Sequence, residues 1–386
     1  MESAPSQQNE NHQPTLPRIR VRLAGVLEGH HRSPRRLQFS RDGRLLFSVG
    51  EEDGESTPPE VGIWNIERQT AIRLGVCPGY YPLLAPDGQS IVFCMEDGHV
   101  VRADLEDRPI GDLTGEIEIQ PILGIAISPD ETTVVAADGL GNIELWDTRT
   151  RARLALLRVQ EEETRFPYSE VMGFSPDGRW LLVDAPDGRG AAHLLSLSRS
   201  EDVGALTGAW VAAFGSANAN PEGFAFAPRG RLLALATARD PGILLARLPG
   251  LERGHLSSLA NRILDTSRAL AFSPDSLWLA EGTTSQGRVA LWDVLTGRLA
   301  LTWEAHTDYY HALGSDQIPA LFDLAWSPGG RWITTAGWSV QPGNPKARYY
   351  RDRWRETPVI KLWEVEREPP WETVIPPATS LAPQPE

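Results

Sequence analysis

The sequence predicts an all-β fold, a seven-bladed β-propeller with four-stranded antiparallel blades. Three observations carry this: a short phrase that recurs seven times, a strand that follows each copy, and an orphan strand ahead of the first. The phrase is an aromatic or aliphatic residue, a small residue, then Pro-Asp-Gly or a near copy. It starts at Phe39, Leu84, Ile127, Phe174, Phe226, Phe272 and Trp326, so by subtraction the copies lie 45, 43, 47, 52, 46 and 54 residues apart. A period in the forties, with strand-like runs around a turn, marks a propeller or array rather than separate domains.

The sixth copy shows how one repeat becomes a blade. Arg268 to Phe272 alternates toward an apolar end and reads as a first strand. Ser273-Pro-Asp-Ser276 makes a tight turn, Pro presetting φ and Asp bonding the backbone beyond it. Leu277 to Ala280 is the second strand, Arg288 to Asp293 the third and Arg298 to Trp303 the fourth. A sheet so small cannot bury both faces alone, so the copies must stack.

The third strand carries its own mark. It reads Val61-Gly-Ile-Trp-Asn65, Ile143-Glu-Leu-Trp-Asp147, Val289-Ala-Leu-Trp-Asp293 and Ile360-Lys-Leu-Trp-Glu364, with weaker versions at Val100–Asp104, His193–Leu197 and Ile243–Arg247. The last copy has three strands, ending near Val365 ahead of Pro369-Pro370. Arg18 to Val26 precedes the first copy and has no blade of its own. The economical solution makes it the outer strand of the seventh blade, joining the ends of the ring and removing a sheet edge.

These turn and strand pairs, with the Gly29-His30 ahead of the first copy, resemble the WD-repeat family of β-propellers over about residues 19–368. The resemblance implies a hydrogen-bonded tetrad in each blade, formed by a turn Asp, a loop His, a strand Ser or Thr and the strand Trp. No copy shows all four at the usual spacing. The second keeps Asp97 but has Ala103 in place of Trp, and the last keeps His306 and Trp363 without the Asp. The chain therefore looks like a divergent, bacterial type of this family. The domain reading is a tail at 1–17, a propeller at 18–368 and a Pro-rich tail at 369–386.

Composition narrows the partners. A net charge of −14 argues against a general binder of nucleic acid or anionic membrane. With only Cys77 and Cys94 there is no disulfide framework and no Cys-based zinc spacing. The first 17 residues lack the apolar core of a secretion signal, and no apolar run reaches membrane-spanning length. A cytoplasmic protein is expected.

Catalytic signatures are missing: no phosphate-binding loop, no His-Glu-x-x-His, no Gly-x-Ser-x-Gly and no dinucleotide fingerprint. The Asp-Gly pairs at 42–43, 87–88 and 177–178 lack the oxygen ligands that follow in a calcium loop, and read as turns. His30, His255 and His306 fall where the resemblance puts a structural histidine ahead of a first strand; His99 and His193 lie in or beside third strands. The acidic run Glu161 to Glu163 reads as a solvated loop. No metal, cofactor or catalytic residue is assigned.

What remains is the insertions, since loops on a rigid scaffold commonly carry function. The two largest belong to the seventh blade, at 305–319 and 337–358, in connection classes that the resemblance places on one face. The second holds Lys346 to Arg355, a basic and aromatic cluster in an acidic chain. Tyr, Trp and Arg dominate interface hot spots because they bury large area and add directed hydrogen bonds. The candidate partner-binding residues are Tyr309, Tyr310, His311, Trp338, Arg348, Tyr349, Tyr350, Arg351, Arg353, Trp354 and Arg355. The bland reading folds the second insertion over its own ring, its arginines paired with Glu51, Glu52, Asp53 and Glu55. Tyr80, Tyr81, Arg165, Phe166, Tyr168 and the Asn218–Asn220 loop are expected on the same face. The expected function is a non-enzymatic protein-binding scaffold or adaptor, a monomeric ring with protein partners, nucleic acid being disfavoured. The rival is a propeller enzyme or a small-ligand or metal sensor at the channel mouth.

Overall fold

The computed structural model describes residues 19–51, 58–119, 121–138, 141–158, 172–184, 192–199, 206–214, 221–229, 231–237, 242–257, 267–284, 286–307, 321–342 and 354–367. β1 (Ile19–Glu28) comes first in the chain and belongs to the last blade. Blade 1 is β2 (Ser33–Phe39), β3 (Leu45–Glu51), β4 (Glu60–Asn65) and β5 (Thr70–Val76). Blade 2 is β6 (Tyr80–Leu84), β7 (Ser90–Cys94), β8 (Val100–Asp104) and β9 (Pro109–Asp112). Blade 3 is β10 (Ile122–Ile127), β11 (Thr133–Asp138), β12 (Asn142–Asp147) and β13 (Arg153–Arg158). Blade 4 is β14 (Met172–Phe174), β15 (Trp180–Asp184), β16 (Ala192–Arg199) and β17 (Leu206–Phe214). Blade 5 is β18 (Pro221–Phe226), β19 (Leu232–Thr237), β20 (Gly242–Arg247) and β21 (Glu252–Ser257). Blade 6 is β22 (Ser267–Phe272), β23 (Trp278–Thr283), β24 (Arg288–Asp293) and β25 (Leu299–Glu304). Blade 7 is β26 (Leu321–Trp326), β27 (Trp332–Pro342) and β28 (Trp354–Arg367), completed on its outer side by β1. The closing strand foreseen from the orphan segment is thus β1, antiparallel to β28 from Ile19↔Arg367 to Glu28↔Val359.

Alternation along the strands explains the ring. In β15, Leu181 and Val183 pack toward blade 3, while Trp180 and Leu182 pack toward blade 5. In β11, Val134 and Ala136 face blade 2, and Val135 and Ala137 face blade 4. With a side-chain period of two, each blade buries both faces against its neighbours. Seven apolar clusters result, one in each gap between blades. The last joins Leu27, Ala336, Ile360 and Leu362 of blade 7 to Leu37, Leu46, Trp64 and Ile66 of blade 1.

The repeated phrase is a gasket between blades. In blade 4, Ser175 Oγ donates to Asp177 Oδ1 at 2.6 Å and accepts the Trp180 N–H at 3.0 Å, while the same Asp oxygen accepts the Arg179 N–H at 3.2 Å. Blades 1, 3 and 6 repeat the Ser–Asp pair with Ser40–Asp42, Ser128–Asp130 and Ser273–Asp275. The glycine has left-handed φ, +71° at Gly43 and +69° at Gly178, and the site of its missing Cβ lies against the preceding blade's proline. Those distances are 3.6 Å from Gly43 to Pro328 and 3.8 Å from Gly178 to Pro129. The Asp-Gly pairs are accounted for by turn and packing chemistry.

Two expectations are corrected. His255 does not precede a first strand; it lies inside β21, the outer strand of blade 5, opposite Leu244. The 337–358 insertion is not a loop from end to end. β27 and β28 run on past the blade as a two-stranded ribbon, paired from Trp338↔Pro358 to Pro342↔Trp354. At ~3.4 Å per residue it projects on the order of 15 Å. Among the described residues no helix is long and apolar enough to cross a membrane.

Candidate functional site

The seventh blade's two insertions leave the same end of the ring. The connection from β25 enters β26 at Leu321, which pairs with Gly337 where β27 leaves the blade. The roots of both insertions are fastened together. His306, fully buried, holds the Thr335 hydroxyl with Nε2 at 3.0 Å, and its Nδ1 lies 3.3 Å from the Trp338 carbonyl. Trp363 Nε1 donates to the same Thr335 hydroxyl at 2.9 Å, and Lys361 Nζ donates to the Ala305 carbonyl at 2.6 Å.

Trp338 is the candidate residue whose side chain is described, and it is half-buried at the foot of the ribbon. Its ring meets Phe322 edge-on at 6.3 Å, and the Arg35 guanidinium lies 5.4 Å from the Phe322 ring centre. This stack ties the ribbon to blade 1, so Trp338 acts as a root. Trp354 and Arg355 stand on the ribbon opposite Pro342 and Gln341. Tyr309, Tyr310, His311, Arg348, Tyr349, Tyr350, Arg351 and Arg353 lie outside the described residues, as do Glu52, Asp53, Glu55, Glu161 to Glu163, Arg165, Phe166, Tyr168 and Asn218–Asn220.

Blade 1 contains a relay that the sequence reading left incomplete. His30 Nε2 lies 2.7 Å from the Ser48 hydroxyl, which accepts the Trp64 indole N–H at 2.8 Å. The fourth member is Glu60, at the start of β4, where the tetrad calls for a turn Asp. Its carboxylate takes His30 Nδ1 at 2.8 Å, His31 Nδ1 at 3.0 Å and the backbone N–H groups of His31 and Arg32. Burial pushes this carboxyl up, but the hydrogen bonds from His30 and His31 outweigh it and hold the pKa down at about 2. Blades 3 and 6 use glutamate in another way: Trp146 Nε1 donates to Glu144 at 3.0 Å and Trp292 Nε1 to Glu281 at 2.8 Å, both carboxylates fully buried. The signal was present as Glu144, two residues before its Trp, and as Glu281 at the position equivalent to Ser48.

Along the channel, side chains stitch inner strands together. Asp323 of β26 accepts the Leu37 N–H of blade 1 at 2.6 Å and the Leu324 N–H at 2.8 Å. Gln38 accepts the Leu84 N–H of blade 2 at 3.2 Å and donates to the Leu84 carbonyl at 3.0 Å. Burial pushes the Asp323 carboxyl up to about 7, against the pull of its two N–H donors and of nearby Arg36. A carboxyl with a raised folded pKa lends stability that is complete below the unfolded value near 3.8 and lost as pH rises through 7. The melting midpoint should therefore fall across pH 4–7, and Asp323→Asn should flatten that fall; parallel profiles for the two proteins would refute the assignment.

On the opposite face, residues of the turns and strand ends of blades 1 to 4 line a cavity of about 940 Å³. Burial lifts the thiols of Cys77 and Cys94 to about 11 and about 12, so neither is a ready nucleophile. Among the described residues, no group of three or more His, Cys, Asp or Glu side chains is placed to hold a metal. The fold and these sites define a seven-bladed β-propeller with an elaborated seventh blade. Neither the models of known families nor the curated proteins with which the chain was compared match it.

Proposed function

We propose that the chain is a non-catalytic, protein-binding scaffold or adaptor, a divergent member of the WD-repeat propellers acting in the cytoplasm. The observation that carries the reading is the β-ribbon of blade 7, rooted by Trp338, Phe322 and His306 and leading into the basic, aromatic stretch Lys346 to Arg355. A rigid ring that holds such a stretch keeps the ordering cost of association low. The histidine–hydroxyl–indole relays of blades 1 and 7 support the family reading. The rival, an enzyme or small-ligand sensor at the channel, has less support, because Asp323 is already bonded to the backbone of Leu37 and Leu324.

The test is capture from the native cell lysate on immobilised protein, beside a bait in which Tyr349, Tyr350 and Trp354 are replaced by alanine. A protein held by the first bait and depleted at least about tenfold on the second, the scale of one lost hot spot, is expected. Equal retention on both baits would move the site elsewhere. If neither bait held anything, the ligand-sensor reading would replace this one.

A further inference from the structure

Both ends of the 305–319 insertion are fixed on one turn of blade 6. The Gly287 carbonyl accepts the N–H groups of Ala305 at 2.9 Å and His306 at 2.8 Å, where the insertion begins. The Thr284 carbonyl accepts the Leu321 N–H at 3.1 Å, where the chain returns as β26. Thr283, Thr284 and His306 are buried. Gly287 has left-handed φ, +63°, and a Cβ there would stand 2.7 Å from the His306 carbonyl carbon and 2.8 Å from its oxygen. The blade 6 turn therefore seats the His306 backbone directly, which only glycine permits.

From that seat the imidazole reaches the ribbon at its hinge. β26 stops pairing with β27 at Gly337, so Trp338 is the first residue of β27 beyond that pairing. Its partner on β28 is Pro358, which has no N–H to give. Neither described ladder thus offers the Trp338 carbonyl a donor, and His306 Nδ1 at 3.3 Å supplies one. A carbonyl only accepts, so Nδ1 carries the proton. In the neutral ring Nε2 then accepts the Thr335 hydroxyl at 3.0 Å, and the Thr335 oxygen accepts the Trp363 N–H at 2.9 Å. In blade 1 the same ring nitrogen of His30 goes to the Glu60 carboxylate. In blade 7 it goes to the backbone of a strand that leaves the sheet.

We infer that His306 is the positioning residue of the blade 7 ribbon, and that the Gly287 turn of blade 6 sets the ribbon's stance through it. The value of that stance for binding rests on the function proposed above. The hinge itself does not, and the test reads the hinge alone.

The test is hydrogen–deuterium exchange of the full chain, read by mass spectrometry over the two ribbon strands. His306→Asn can place an amide N–H where Nδ1 stands, whereas His306→Gln directs its amide to the Thr335 side. Ribbon exchange in His306→Gln should rise about tenfold above the unchanged chain, the scale of one lost hydrogen bond. His306→Asn should stay near the unchanged chain. Gly287→Ala, a change in blade 6, should raise ribbon exchange as His306→Gln does, and it decides the matter if either histidine variant fails to fold. Equal exchange in the Asn and Gln variants, or a ribbon still protected in Gly287→Ala, would overturn the inference. So would exchange that rises equally across blades 1 to 4, because His306 would then support the ring and not the ribbon. Failure to capture a partner, with ribbon exchange as expected, would sink the adaptor reading and leave this one standing.

Discussion

Deletion of residues 1–28 is expected to abolish the cooperative melt of the monomeric ring, leaving oligomers or an unfolded chain. β1 is an outer strand, yet it contributes the whole fourth rung of blade 7 and joins the first described strand of the chain to the last. It pairs with β28 from Ile19 to Glu28 and buries Leu27 in the cluster between blades 7 and 1. Ladder bonds at ~1 kcal/mol each and ~2 kcal/mol for Leu27 sum to roughly 5–10 kcal/mol, comparable with the entire stability of a domain. Its removal also turns the 14-residue β28 into an open edge, a template for pairing with other chains. Size-exclusion chromatography with light scattering and a circular-dichroism melt decide the matter, with deletion of 1–17 as the control. A chain lacking 1–28 that stays monomeric and melts within a few degrees of the intact one would show that the ring is closed by its inner strands alone.

That junction was readable in the sequence because it is a matter of counting: seven copies of the phrase, only three strands in the last copy and one orphan strand ahead of the first copy. The turns were readable for a different reason. Ser, Asp and Gly act within five residues of one another, so Ser175, Asp177 and Gly178 announce their geometry without help from the rest of the chain. Longer-range chemistry was not. Glu60 meets His30 thirty residues away, and a carboxylate one methylene longer than Asp reaches the same histidine from the start of a strand. Glu281 stands where Ser48 stands in blade 1, and alternation alone gives no reason to expect a buried acid there. The ribbon was hidden by its prolines. β26 stops pairing with β27 at Gly337 and β1 stops pairing with β28 at Val359, so beyond those points each strand has one free edge. Such an edge tolerates Pro342 and Pro358, which would break a central strand. Of the candidate binding residues, Trp338 shows the limit of composition as a guide. An aromatic in an insertion reads as a partner anchor, and composition gives no sign that its ring also packs edge-on against Phe322 at the foot of the ribbon.

Replacing Glu60 with alanine is expected to lower stability by about 2–4 kcal/mol, the scale of leaving buried donors without their charged acceptor. The carboxylate holds together the segment that carries the chain from β1 into β2: His30, His31 and the N–H groups of His31 and Arg32 all converge on it. Without it His30 loses its Nδ1 partner beside Trp64, whose ring centre is 5.8 Å away, and the Ser48 relay loses its orientation. For a ring of this size the melting midpoint should drop on the order of 5 °C. Glu60→Gln separates charge from shape, and pH separates them further. The folded pKa near 2 lies below the ordinary 4.5, so the carboxylate's contribution is complete above 4.5 and is lost as pH falls through 2. The gap in urea stability between the native chain and Glu60→Gln should therefore hold steady from pH 7 down to about 5, then close toward pH 2. A gap that survives unchanged at pH 2 would mean that side-chain shape, and not the ionised carboxylate, fastens the segment. A gap already absent at pH 7 would mean that His30 needs only Ser48 to stay in place.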